Sequence, residues 1–207
     1  MHWTLSFYPF IYILAFGFLS IDEIAKSIRF MIFFMLAHIV LIAALLSLPV
    51  SLLERNKNYA TIVFGVYPQE VIAHMPQSDD FIWASTSYAN AALLEYHSNR
   101  RTIVFGKGSY HAREDDRLTD FRKLDGKNIA TLLRRAPDEK LYTPFFGSVA
   151  TKTFVVRNQT FYVVEGYGFR YNEYRDNVLT DIRDQYYNLP SFLPCDRCYF
   201  FDRYFPK

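Results

Sequence analysis

The side chains best suited to chemistry lie mostly in the second half of the chain. His111 precedes Glu114, Asp115, Asp116 and Asp120, and a histidine beside carboxylates suits a hard cation or an acid/base pair. Their spacing matches no metal loop, and Arg113, Arg117 and Arg122 are at hand to pair with the acids; a salt-bridged or solvated loop is the preferred reading. Gly106-Lys107-Gly108-Ser109 follows a strand pattern but lacks the spacing of a P-loop or a dinucleotide fingerprint. A tight turn accounts for it. Cys195-Asp196-Arg197-Cys198 is the one cysteine pair. It suits a small disulfide (Cys195, Cys198) outside the cytoplasm, or two free thiols; in the cytosol it is half a zinc site with no second half. Asn158-Gln159-Thr160 is a glycosylation sequon on a turn, a pattern that also arises by chance.

The elements that must carry these residues divide sharply by charge. Up to Leu53 the only charged side chains are Asp22, Glu23, Lys26 and Arg29. Trp3 to Ile21 and Phe30 to Leu53 are apolar, with His38 the one strongly polar side chain of the second run. At about 1.5 Å per residue each is long enough for a hydrocarbon core of roughly 30 Å. No Lys or Arg precedes the first run and no small-x-small cleavage pattern follows Ser20, which favours a membrane hairpin over a signal peptide. A hairpin places Asp22–Arg29 in a loop across the membrane from everything after Leu53. Lys26 and Arg29 draw that loop to the cytoplasm, while Arg55 and Lys57 compete.

From Glu54 onward the pattern is that of a globular α/β domain. Tyr67–Met75 reads as a short helix with Pro68 in its first turn. Phe81-Ile82-Trp83-Ala84 and Thr102-Ile103-Val104-Phe105 read as strands flanking a helix over Tyr88–His97 capped by Thr86 or Ser87. Strand, helix and strand with short joints predict a right-handed parallel crossover. Asn128–Leu133 is a third strand, Val149–Val156 and Thr160–Glu165 form a hairpin around Arg157-Asn158-Gln159, and Glu173–Tyr187 is a final amphipathic helix. The expected fold is thus α/β: a two-helix transmembrane hairpin (about 3–21 and 30–53), then a small mixed-sheet domain over 54–207 with a parallel βαβ unit and a C-terminal β-hairpin. The net charge is +2, with both signs interleaved. No basic stripe marks a nucleic-acid binder.

Four segments, TSYANAALLEYHSNRRTIVFG (Thr86–Gly106), TDFRKLDGKNIATLLR (Thr119–Arg134), FRYNEYRDNVLTDIRDQYYNLPSFLP (Phe169–Pro194) and FFDRYF (Phe200–Phe205), resemble the C-terminal region of bacterial membrane glycosyltransferases. The family is the dolichyl-phosphate-mannose-protein mannosyltransferase-like, or aminoarabinose-transferase-like, superfamily. The resemblance covers about half of the chain and implies transfer of a sugar from a polyprenyl-phosphate carrier, without a further cofactor or a metal. It implies a place in the bacterial inner membrane with the large domain periplasmic, and an N-terminal half of a split transferase as partner. Such enzymes carry many more spans and place their catalytic acids in an early external loop, so the catalytic residues are not expected in this chain. Paired acids after a first span suit a catalytic base, but Asp22-Glu23 would lie across the membrane from the domain and are read as a decoy. Tyr88, Tyr110, His111 and Arg113, near the ends of the parallel strands, are the expected substrate-binding residues, because crevices form there. The alternative is a non-enzymatic membrane-anchored periplasmic interaction module.

Overall fold

The computed structural model describes residues 7–107, 118–187 and 199–206. It divides into two units, Met1–Leu52 and Leu53–Lys207. In the first, helix α1 (Tyr8–Phe18) is short and helix α2 (Ile21–Leu46) is long. Among the described residues α2 is the one helix long and apolar enough to cross a membrane, and none of its residues is buried. Its 26 residues span about 39 Å, more than a hydrocarbon core of roughly 30 Å.

Asp22–Arg29, expected as a loop, instead form the opening turns of α2. Ser20 and Glu23 explain the difference. The Ser20 amide donates to Glu23 Oε2 at 2.8 Å and the Glu23 amide to Ser20 Oγ at 3.4 Å, a reciprocal capping box. Asp22 and Glu23 also lie where the positive end of the helix dipole favours acids. Within the apolar run, His38 Nδ1 lies 2.8 Å from the Phe34 carbonyl oxygen. A tautomer protonated there donates to that oxygen, which satisfies one end of the polar ring within the helix.

The second unit is α/β, built on a five-stranded mixed sheet of order β2-β1-β3-β5-β4. Strand β1 (Phe81–Ser85) runs parallel to both β2 (Thr102–Val104) and β3 (Asn128–Leu133). Helix α5 (Tyr88–Ser98) links β1 to β2; Ser87 Oγ accepts from the Asn90 amide at its start, and Asn99, at φ 53°, ends it. Parallel strands lie in the middle of layered folds and read as unbroken apolar runs. From Ile129 to Leu133 every residue of β3 is buried, including Thr131.

Strands β4 (Phe146–Val156) and β5 (Gln159–Phe169) pair antiparallel as a hairpin. Both arms are longer than the sequence pattern suggests. Arg157 and Asn158 have φ of 49° and 61°, the two left-handed positions of a type I′ turn, so Gln159 joins the strand and pairs with Val156.

Both faces of the sheet are covered. Helices α3 (Tyr59–Val66) and α4 (Pro68–Ile72) join α5 on one. There the Trp83 indole donates to the Pro76 carbonyl at 2.9 Å, and the His74 ring stacks on Phe154 at 4.4 Å. The other face carries a helical stretch over residues 171–187 that alternates α- and π-geometry, and a last helix, Tyr199–Tyr204. The predicted final helix is therefore present but begins at Tyr171. Between this cover and the sheet lie Phe105, Phe121, Phe145, Phe146, Phe169, Tyr174, Phe200 and Tyr204, all buried. Phe105 stacks on Tyr174 at 4.8 Å and meets Phe169 edge-on at 5.8 Å. Each such pair adds about 0.5–1.5 kcal/mol beyond the area it buries.

Gly166 is required by this packing. A β-carbon there would lie 2.5 Å from the Phe146 ring, and that ring is itself buried. Gly166→Ala is expected to destabilise the domain by about 1–3 kcal/mol through overpacking. Chemical denaturation of the full chain in detergent, followed by Trp fluorescence, checks this; an unchanged midpoint would contradict the packing described.

Candidate functional site

Crevices in open α/β sheets form beyond the C-terminal ends of the strands, where successive connections leave in opposite directions. This sheet has such a point. From β1 the chain crosses through α5 to β2 on one side, and β3 lies on the other. The residues just past the strand ends are Thr86, Phe105-Gly106-Lys107 and Arg134-Arg135.

Two adjoining chambers open there, of about 560 and 600 Å³, sharing Thr86, Leu141 and Tyr142 as their common wall. The first is mainly apolar, walled by Phe105, Leu141, Tyr142, Pro144, Phe145 and Val178, with Lys107, Lys140 and Asn177 at its margin. Gly106 adopts φ 84° as the chain leaves β2, and its amide donates to the Tyr174 hydroxyl at 2.9 Å. Lys107 is already paired with Asp181.

The second chamber is polar. Lys57, Arg134 and Arg135 line it together with Asn58, Thr61, Ser87 and Asn90. Ser87 and Asn90 belong to the N-terminal end of α5, where the helix dipole is positive. Arg134 Nη1 donates to Thr61 Oγ1. Among the described residues, none of Lys57, Arg134, Arg135 and Lys140 has a carboxylate within ion-pair distance. The acid on the wall, Asp138, is used locally, accepting from the Lys140 amide at 3.1 Å. Burial, and then the charge of Arg135, lower the pKa of the Arg134 guanidinium. Its positive charge is therefore only partly solvated, and an anion placed beside it would relieve the cost.

The expected binding residues fall differently. Tyr88 stands in the first turn of α5 with 62% of its surface exposed, and it lines neither chamber. Tyr110, His111 and Arg113 lie outside the described residues, as do Glu114, Asp115, Asp116, Arg117 and the pair Cys195 and Cys198. Asp120, the described member of the acidic cluster, caps the turn Phe121–Leu124 and pairs with Arg122 at 2.9 Å. That guanidinium holds its carboxyl below the ordinary range. Among the described residues no group of His, Cys, Asp and Glu is placed to hold a metal ion. Lys57, Arg134, Arg135 and Tyr142 were not anticipated. Arg134-Arg135, directly after a parallel strand, carried a usable signal; Lys57 and Tyr142 carried none.

No known protein family, curated protein or solved structure matches the chain. The likeness to membrane glycosyltransferases therefore rests on the four quoted segments alone. These segments supply part of the frame around the site, while Lys57, Thr61, Arg135, Leu141, Tyr142 and Phe145 come from outside them. Thr86–Gly106 supplies α5 and β2, Thr119–Arg134 supplies β3 and the first arginine, and the described parts of the last two segments, 169–187 and 200–205, supply the cover beneath Phe105.

Tyr142 joins the chambers and is half-buried. Burial first, and the Tyr174 phenol second, push its pKa from 10.0 to about 12. The folded state thus keeps a proton that the unfolded chain releases from about pH 10. This contribution to stability is complete below pH 10 and is lost between pH 10 and about 12. Tyr142→Phe is expected to make the decline in denaturation midpoint across that window shallower. Identical slopes for the two proteins would show that Tyr142 does not titrate in this way.

Proposed function

We propose that the chain is the membrane-anchored C-terminal part of a polyprenyl-phosphate-dependent glycosyltransferase, and that the crevice at the β1/β3 switch point holds one of its ligands. In this reading α1 and α2 form a hairpin in the bacterial inner membrane, and the α/β domain faces the periplasm. The catalytic acids belong to a companion region rich in spans. The observation that carries the reading is the crevice itself, whose cations have no carboxylate partner among the described residues and stand beside an aromatic chamber, in a chain that also carries an apolar, membrane-length helix. Fold alone does not bring chemistry with it, and so the role assigned to this domain is to bind and orient.

The test is transfer of radiolabelled sugar from a polyprenyl-phosphate donor by the full chain, alone and co-expressed with the reading frame upstream of its own. Transfer is expected only from the pair, and Arg134→Gln is expected to lower it by about tenfold, the scale of one lost charged hydrogen bond. Failure of both preparations would leave the alternative, an interaction module without enzymatic activity. A reporter fused after Lys207 and found in the cytosol would overturn the orientation.

A further inference from the structure

The two chambers differ in what they can hold, and together they describe a ligand. In the polar chamber Arg134 and Arg135 are adjacent in sequence, Lys57 joins them from a separate segment, and the N-terminal end of α5 completes the wall. A carboxylate is satisfied by one bidentate arginine, whereas several donors arriving from different elements suit a group with three accepting oxygens. Half-buried Arg134 has a hydroxyl partner, Thr61, and no carboxylate among the described residues. Across the shared wall, Phe105, Tyr142, Pro144 and Phe145 present flat apolar surfaces.

We propose that this crevice binds a phosphomonoester with a short apolar body, its phosphate between Lys57, Arg134 and Arg135 and its body in the aromatic chamber against Tyr142. Size limits the body. The chamber, of about 560 Å³, has the size of a small-molecule site. A long polyprenyl tail does not fit within it. A longer body leaves the chamber through its open side, so what the site recognises is the phosphomonoester head and the apolar group next to it. The inference rests on the crevice being the ligand site, as in the function proposed above, and not on sugar transfer.

The experiment is calorimetric titration of the full chain in a nonionic detergent with phenyl phosphate, inorganic phosphate, benzoate and phenol. Phenyl phosphate is expected to bind about tenfold or more tightly than inorganic phosphate or benzoate, with no heat from phenol. Arg135→Gln and Lys57→Gln, at exposed positions, are each expected to weaken both phosphates by about tenfold or more while the thermal midpoint stays unchanged. Pro144→Ser, exposed and confined to the aromatic chamber, is expected to reduce the advantage of the phenyl ring and leave inorganic phosphate unaffected. Equal affinity for the two phosphates, preference for benzoate, or cation variants that bind as the parent does would each overturn the proposal. Displacement of phenyl phosphate by dodecyl phosphate held in phosphatidylcholine nanodiscs assigns the site to a membrane-borne ester. Displacement by water-soluble esters alone assigns it to a diffusible one. Because no sugar donor or companion frame is present, binding without transfer counts against the transferase reading only, and transfer without binding counts against this one only.

Discussion

The Phe105 ring at the end of β2 stands at the centre of the domain. It lies within 6.5 Å of the rings of Tyr142, Phe145, Phe146, Phe169 and Tyr174, which come from a short turn, the hairpin and the C-terminal helical stretch. Parallel strands must be covered on both faces, and on this one the helical cover over 171–187 meets the sheet through a layer of rings. Tyr174 is the pin. Its ring packs on Phe105 and Phe121 at 4.8 Å each, and its hydroxyl accepts from the Gly106 amide just past β2. The π-turns that follow keep Val178, Leu179 and Ile182 buried along the same face. A further tyrosine, Tyr204, ties the last helix down by donating to the Thr119 carbonyl at 2.6 Å.

The crevice follows from the same arrangement. Because β1 is flanked by β2 and β3 with connections leaving in different directions, a gap stands above its C-terminal end that nothing among the described residues closes. The aromatic cluster floors one half of that gap, which makes it apolar. The other half is floored by the start of α5 and the end of β3, where the positive helix end and two arginines coincide. Five other arginines of the domain have a carboxylate partner, among them Arg157 with Glu70 and Arg122 with Asp120. Arg134, half-buried and without a carboxylate partner among the described residues, loses solvation in the crevice. The concentration of positive charge at a topological switch point is what gives the crevice its functional reading.

Much of the fold was legible from short-range pattern. The runs Phe81–Ala84, Thr102–Phe105 and Asn128–Leu133 are apolar, short and bounded by turn residues, and each forms a strand with ends within a residue of the reading. Parallel pairing of the first two followed from the strand–helix–strand order with short joints. Less was legible where local signals competed. The charges of Asp22–Arg29 read as an aqueous loop, yet a Ser20–Glu23 capping box at the start of a long apolar helix outweighs them. Helix α3 was missed because Tyr59–Val66 is apolar on most sides; Tyr59, Val63 and Phe64 are buried only once the hairpin lies against them. The hairpin arms were read short because the sheet, and not alternation in sequence, keeps residues 146–148 and 166–169 extended.

From its residues alone the chain determines an apolar helix of membrane length and an α/β order of elements, since both depend on neighbours a few positions apart. The site was decided elsewhere. Lys57, Thr86, Arg134 and Tyr142 are scattered through the sequence, and no periodicity links them. They meet because strand order β2-β1-β3 and the aromatic floor under Phe105 bring four separate chain segments to one edge of the sheet. Such long-range placement is a property of packing, and only the tertiary structure contains it.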